Sequence, residues 1–243
     1  MRKTTAFHAI AATLVLGAIL HHPVQGVESP TSFGAAATVD SAFVRVPPTE
    51  NAPNIDGKME PGEWVDASAF SGFWYDFGGG SFNYLAPPET QNVVYVMYDR
   101  ENLYLAISYP VFPEGSWLKA KGRFPNVLRH PRYGVLGDDH IEVELRPFHD
   151  PGRGFEMGLL RWDVNSLNTV CDWTWSRKRG TFDMSWQSKP VVRSSLSKKL
   201  WSVEFAIPFE SMDVLDYAGK DEFGQDIVIV PPPDGTKYRF WIH

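Results

Sequence analysis

The chain has 243 residues, a formal net charge of -6 and a single cysteine. With a pI near 5.6 it carries no basic excess to follow a phosphate backbone, which excludes nucleic acid as the main partner, and one cysteine excludes an internal disulfide. Aromatic residues make up 14% of the chain, with nine tryptophans, enough to ask whether some form a binding surface instead of core.

Residues 1–26 read as a secretory signal peptide. Arg2 and Lys3 give the positive start, Ala9 to Leu20 the apolar middle, and Val24-Gln25-Gly26 the small-residue exit. The apolar middle is closed by His21, His22 and Pro23, too short to cross a bilayer comfortably, and no later stretch has an apolar run of that size. A secreted or periplasmic protein with no membrane span after cleavage is expected. Residues 27–41, rich in Ser, Ala, Gly and Pro without a period, form a flexible leader, and residues 42–243 are expected to form one β domain.

Ala42 to Val46 is a candidate first strand. Ile55 to Trp64, IDGKMEPGEW, opens with a turn at Asp56-Gly57 and ends in a tryptophan suited to anchor a core. Phe70 to Leu85 mixes aromatics, among them Trp74 and Tyr75, with the run Gly78-Gly79-Gly80; such a loop presents rings to a ligand or closes the end of a sandwich. Thr90 to Tyr109, TQNVVYVMYDRENLYLAISY, has two apolar arms around the break Asp99-Arg100-Glu101-Asn102, the pattern of a β-hairpin, with Asn102 suited to a left-handed turn exit. Its first arm is apolar on both faces, so it belongs in a sheet covered on both sides.

Pro110 to Gly137 is a long excursion holding Trp117, Lys119, Lys121, Arg123, Arg129, His130, Arg132 and Tyr133. It is either a solvated loop or a polar contact surface. Gly137 to Pro147, GDDHIEVELRP, then alternates Ile141, Val143 and Leu145 against His140, Glu142, Glu144 and Arg146. Asp138, Asp139 and Glu142 could gather oxygens around a structural calcium, or be a turn pair followed by a solvated strand face. Glu142 and Glu144 are about 7 Å apart along a strand, a spacing open to a glycosidase pair, yet they share their face with His140 and Arg146 as an ordinary charged exterior would.

Phe155 to Trp162 and Asn168 to Trp175 are strands linked by Asp163-Val164-Asn165-Ser166; Trp173 and Trp175 project to one side as a core slab or a stacking platform. Lys189 to Leu196 and Leu200 to Ile207 are joined by a turn at Ser197-Lys198-Lys199, with Trp201, Val203, Phe205 and Ile207 on one apolar face. A helical turn at Phe209 to Met212, a strand at Ile227 to Val230 and a last strand at Lys237 to His243 complete the chain, whose sandwich is expected to be truncated at its C-terminal end.

The ordered segments IDGKMEPGEW, VYVMYDRENLYLAISY, GDDHIEVELRP, WSVEFAIPFESM and GTKYRFWI together resemble the family-nine carbohydrate-binding modules and their DOMON-like relatives. The resemblance implies an all-β, two-sheet antiparallel β-sandwich, jelly-roll-like, that binds saccharides at a tryptophan-lined site and in some members holds calcium. In sugar-binding members a tryptophan precedes the aspartate of the D-x-x-E strand by three residues; here that aspartate is Asp139 and the position is Leu136, with Tyr133 the nearest aromatic. The expected function is a non-catalytic module for plant-type or other polysaccharides such as xylan, with Trp74, Tyr75, Trp117, Tyr133, Trp173 and Trp175 as sugar-binding candidates. Because DOMON-like relatives include cytochrome domains, the alternative is a non-covalent haem-binding electron carrier, with Met97 and either His140 or Met157 as axial ligands.

Overall fold

The computed structural model describes residues 11–12, 44–60, 62–76, 84–85, 87–115, 118–123, 135–146, 159–176, 181–212 and 239–242. The expected signal-peptide boundary, the leader, Trp117, Tyr133, Met157 and the expected strand at Ile227 to Val230 lie outside them.

The strands are β1 (Ala11–Ala12), β2 (Ser68–Phe70), β3 (Trp74–Asp76), β4 (Tyr84–Leu85), β5 (Val93–Tyr98), β6 (Asn102–Pro110), β7 (His140–Arg146), β8 (Leu160–Asn165), β9 (Val170–Ser176), β10 (Thr181–Asp183), β11 (Val191–Leu196), β12 (Leu200–Pro208) and β13 (Arg239–Ile242). One helical turn, α1 (Phe209–Met212), follows β12. They form a first five-stranded sheet, β11-β12-β6-β5-β2, a second, β10-β9-β8-β7-β13, and a small sheet, β1-β3-β4. Every strand pairing among the described residues is antiparallel.

The two large sheets pack face to face as a sandwich, because alternation gives each an apolar inner face. Val94, Val96, Leu105, Ile107, Val203, Phe205 and Ile207 of the first sheet share one buried cluster with Ile141, Val143, Leu145, Leu160, Trp162, Val164 and Ile242 of the second. At one end of it Trp186 packs on Trp162 at 5.5 Å between ring centroids, and the Trp162 indole donates to Ser188 Oγ.

The hairpin forms over β5 and β6 with the expected break. Its turn is built differently: Asn102 already opens β6, and Asp99 Oδ1 accepts the amides of Glu101 and Asn102, both at 2.7 Å. The Tyr104 hydroxyl donates to the other Asp99 oxygen at 2.6 Å, so turn and strand lock each other. Of the expected strand at Ala42 to Val46 the described part, Val44 to Val46, lies in no strand, and an isolated bridge joins Pro48 to Tyr98.

The outer face of the first sheet is also buried. Met97, Tyr104, Ala106 and Ala206 are covered by Trp64, with Ile55, Met59 and Ala67 beside it, which explains the two apolar faces of the hairpin. In this second core sits Glu204, wholly buried, accepting hydrogen bonds from the Gly57 amide at 2.8 Å, the Asp56 amide at 3.1 Å and the Trp64 indole at 3.1 Å. Ser202 completes the dock by donating to the Gly57 carbonyl at 2.6 Å. Gly57 has φ of +90°, and a Cβ there would lie 2.9 Å from the Ser194 carbonyl carbon, so the turn requires glycine for both conformation and space.

Replacing Glu204 with Ala leaves three donors without their acceptor and should lower unfolding free energy by about 2–4 kcal/mol. Urea denaturation followed by tryptophan fluorescence measures this. A loss below about 0.5 kcal/mol, the range of an ordinary surface substitution, would show that the turn is held by Trp64 packing alone.

Candidate functional site

The outer face of the second sheet is polar on β7 and β8, and on β9 Cys171 and Trp173 join a small buried cluster with Val135 and Leu159. In β7 the residues alternating with the core set are His140, Glu142 and Glu144; in β8 they are Arg161, Asp163 and Asn165; in β9 they include Cys171 and Trp173. Register aligns them in cross-strand rows: Glu144, Arg161 and Trp173 in one, Glu142, Asp163 and Cys171 in the next, His140 and Asn165 in the third.

Arg161 is the centre. Its Nη2 lies 2.8 Å from Asp163 Oδ1 and also contacts Glu142 Oε2; its Nε is 3.1 Å from both Asp163 oxygens; its Nη1 is 3.5 Å from Glu144 Oε1. The guanidinium carbon stands 4.8 Å from the centroid of the Trp173 ring, and the Trp173 indole donates to Asp163 Oδ2 at 2.9 Å. Arginine, aspartate and tryptophan thus hold one another in a fixed arrangement. Side-chain exposure is 14% for Arg161, 13% for Glu142, 10% for Glu144 and 0% for Asp163, so the group touches the surface only at its arginine and glutamate edge.

Three carboxylates share this one guanidinium, and the charge arithmetic shows in the acidity of Glu142. Burial pushes Glu142 up, to about 8; the charges of Asp163 and Glu144 and a hydrogen bond with Glu144 add to it, while Arg161 opposes it. Burial works against the charge of Arg161 too, but Asp163, Glu142 and Glu144 outweigh it and hold the guanidinium above its ordinary value. Burial raises the Cys171 thiol to about 12, with the charges of Asp163 and Asp172 adding, so it stays protonated and unreactive.

The residues singled out in the sequence fall in different places. Trp173 joins the cluster but is only 3% exposed, its ring face taken by Arg161. Trp175 lies two residues further along β9, opposite Phe182 of β10. Trp74 and Tyr75 lie in β3, part of the small sheet and not of the sheet that carries Trp173. Trp117 and Tyr133 lie outside the described residues.

Of the three expected metal ligands, only Glu142 joins the cluster. Asp138 Oδ2 accepts the amides of Lys121 at 2.8 Å and Gly122 at 2.7 Å and the Asn165 side chain at 3.0 Å; Asp139 Oδ2 accepts the Lys119 amide at 2.6 Å. These aspartates fasten the segment 119–122 to the sheet. The side chains that gather beside Glu142 are His140 and Asp163. Met97 and His140 cannot form a haem-ligand pair, because Met97 is sealed under Trp64 on the far outer face of the other sheet.

Arg161 and Asp163 were not singled out by sequence. Asp163-Val164-Asn165-Ser166 has the composition of a turn, yet the strand continues to Asn165 and the turn falls at Ser166 to Thr169, where Asn165 Oδ1 accepts the amides of Leu167 and Thr169. The available signal was the alternation of Leu160, Trp162 and Val164 against Arg161, Asp163 and Asn165, in phase with β7.

No protein-family model matches the chain, and no curated protein does. Two solved structures are similar in fold, both of a carbohydrate-binding module of family 9 from Caldicellulosiruptor kristjanssonii. The one in complex with cellotriose is 17% identical, with a TM-score of 0.42, covering 68% of this chain and 67% of that one. The one in complex with glucose is 16% identical, with a TM-score of 0.39, covering 67% and 66%.

Because the folded protein holds the Glu142 proton more tightly than the unfolded chain does, this contribution to stability is full below the ordinary value of 4.5 and is lost as pH rises through about 8. In buffer free of divalent ions, urea unfolding should show stability falling across that window by up to ~1.4 kcal/mol per pH unit. Glu142→Gln should flatten the slope. The same slope in the variant would assign the proton to another group.

Proposed function

We propose that the protein is a non-catalytic carbohydrate-binding module whose ligand meets the outer face of the second sheet at Arg161, Glu142 and Glu144. The observation that carries this reading is the fixed guanidinium–carboxylate network on adjacent strands, with an indole in the same cross-strand row. A saccharide offers hydroxyls that both donate and accept, and recognition favours partners of both kinds held rigidly on strands. Arg161 supplies donors, Glu142 and Glu144 supply acceptors, and Asp163 with Trp173 fixes the guanidinium between the two glutamates. In this reading Trp173 sets the site and does not stack; stacking falls to another aromatic, for which Trp175, two residues along the same strand, is the candidate. We assign the ligand to plant-type polysaccharides, xylan and cellulose first among them, and the protein to the exported fraction, on the strength of the signal-peptide pattern at residues 1–26.

Affinity electrophoresis of the full chain against xylan, cellulose derivatives, mixed-linkage glucans and mannans, followed by calorimetry on the ligand found, tests the proposal. At least one glycan should retard the protein. Arg161→Met should weaken binding tenfold or more, since charge-assisted hydrogen bonds are lost while most of the side-chain volume is kept. Far-ultraviolet circular dichroism checks that the variant folds. Retention by none of the glycans would overturn the proposal.

A further inference from the structure

We propose that His140, Glu142 and Asp163 form a binding site for a divalent transition-metal ion of the zinc type, with three protein ligands and an open fourth position. One donor atom from each of these side chains lies within 4.8 Å of the other two. All three belong to neighbouring strands, so the backbone that carries them is fixed by the ladder between β7 and β8.

Two features point to a metal. The first is the orientation of His140. Its Nδ1 lies 2.9 Å from the Asp138 carbonyl oxygen, which can only accept, so Nδ1 carries a proton and Nε2 is the nitrogen turned to the carboxylates. A ring nitrogen held this way by a backbone carbonyl is the usual support of a metal-ligating histidine. The support is itself anchored, since the Asp138 side chain is tied to the amides of Lys121 and Gly122 and to Asn165.

The second is distance. His140 Nε2 stands 3.5 Å from Asp163 Oδ1. A charge-assisted hydrogen bond would draw them to about 2.7–2.9 Å. Two ligands at ~2.0–2.1 Å from a tetrahedral zinc lie about 3.4 Å from each other. Glu142 closes the set by a change of its side-chain torsions, giving up its contact with Arg161, which keeps Asp163 and Glu144.

Charge agrees. Once Glu142 gives up its proton to the incoming ion, Glu142, Glu144 and Asp163 carry three negative charges among the described side chains on this patch and Arg161 one positive charge; a divalent ion brings the sum to zero. Cys171, in the same row, stays a neutral thiol, and Asn165 is neutral. The donor set also chooses among metals. One imidazole and two carboxylates suit zinc, cobalt or nickel, whereas calcium prefers six to eight oxygens and no ring nitrogen.

The test uses the full chain after treatment with a chelator, with no glycan present, so its result is independent of the saccharide reading. Calorimetric titration with zinc chloride should show one equivalent bound through the site, and cobalt(II) should give the visible absorption of a four- or five-coordinate ion. His140→Ala should lower zinc affinity at least tenfold and abolish that absorption, with circular dichroism unchanged. Glu142→Gln should weaken zinc in the same direction, and calcium in large excess should not displace it. Absence of zinc binding, or binding that His140→Ala leaves unaltered, would overturn the proposal; the second result would assign the metal to another histidine.

Discussion

Everything in the fold follows from the double burial of β6 and β12, the two longest strands, which pair along their full length from Asn102 with Pro208 to Pro110 with Leu200. Ile107, Val203 and Phe205 on their inner faces are sealed in the sandwich, and Ala106, Ala206 and Glu204 on their outer faces are sealed under the segment that ends in Trp64. A strand buried on both faces has nowhere to place a solvated side chain, and so cannot itself carry a polar site. The buried carboxylate of Glu204 is the apparent exception. It is tolerated because two backbone amides and an indole replace the water it lost, and because in doing so it ties a turn 140 residues or more away in sequence to the sheet.

The chemistry is therefore displaced to the second sheet, whose inner face closes the same core and whose outer face is free to be polar. The same alternation that sends Ile141, Val143 and Leu145 inward sends His140, Glu142 and Glu144 outward, and pairing with β8 sets Arg161 and Asp163 against them. Such a cluster costs desolvation for every ion in it, and replacement by apolar side chains is often neutral or stabilising. Stability is a weak reason for its existence; holding charged groups at fixed spacing on a rigid surface is a better one.

The parts of this arrangement that were legible in sequence are those in which one strand declares itself alone. The hairpin break at Asp99 to Asn102 and the alternation from Ile141 to Leu145 needed no partner to be read. Arg161 and Asp163 were hidden because Asp-Val-Asn-Ser looks like a turn until the strand beside it supplies the phase. Glu204 was hidden for the same reason: a glutamate among alternating apolar residues reads as the solvated face, and only the docking of Trp64 buries it. Asp138 and Asp139 read as an oxygen cluster or a turn pair; in the fold one oxygen of each accepts backbone amides, partners that stay invisible until the chain folds back.

Glu142 is where these constraints meet. It can contact Arg161, hydrogen-bond Glu144 or turn to the side where His140 and Asp163 stand, and no geometry lets it do all three at full strength. Asp163 has no such choice, since both its oxygens are held by Arg161 and one also by Trp173. The less exposed acid is thus fixed and the more exposed one adjustable. A ligand arriving at this face, whether a sugar hydroxyl, a metal ion or a proton, meets Glu142 as the movable partner and Arg161 with Asp163 as the frame.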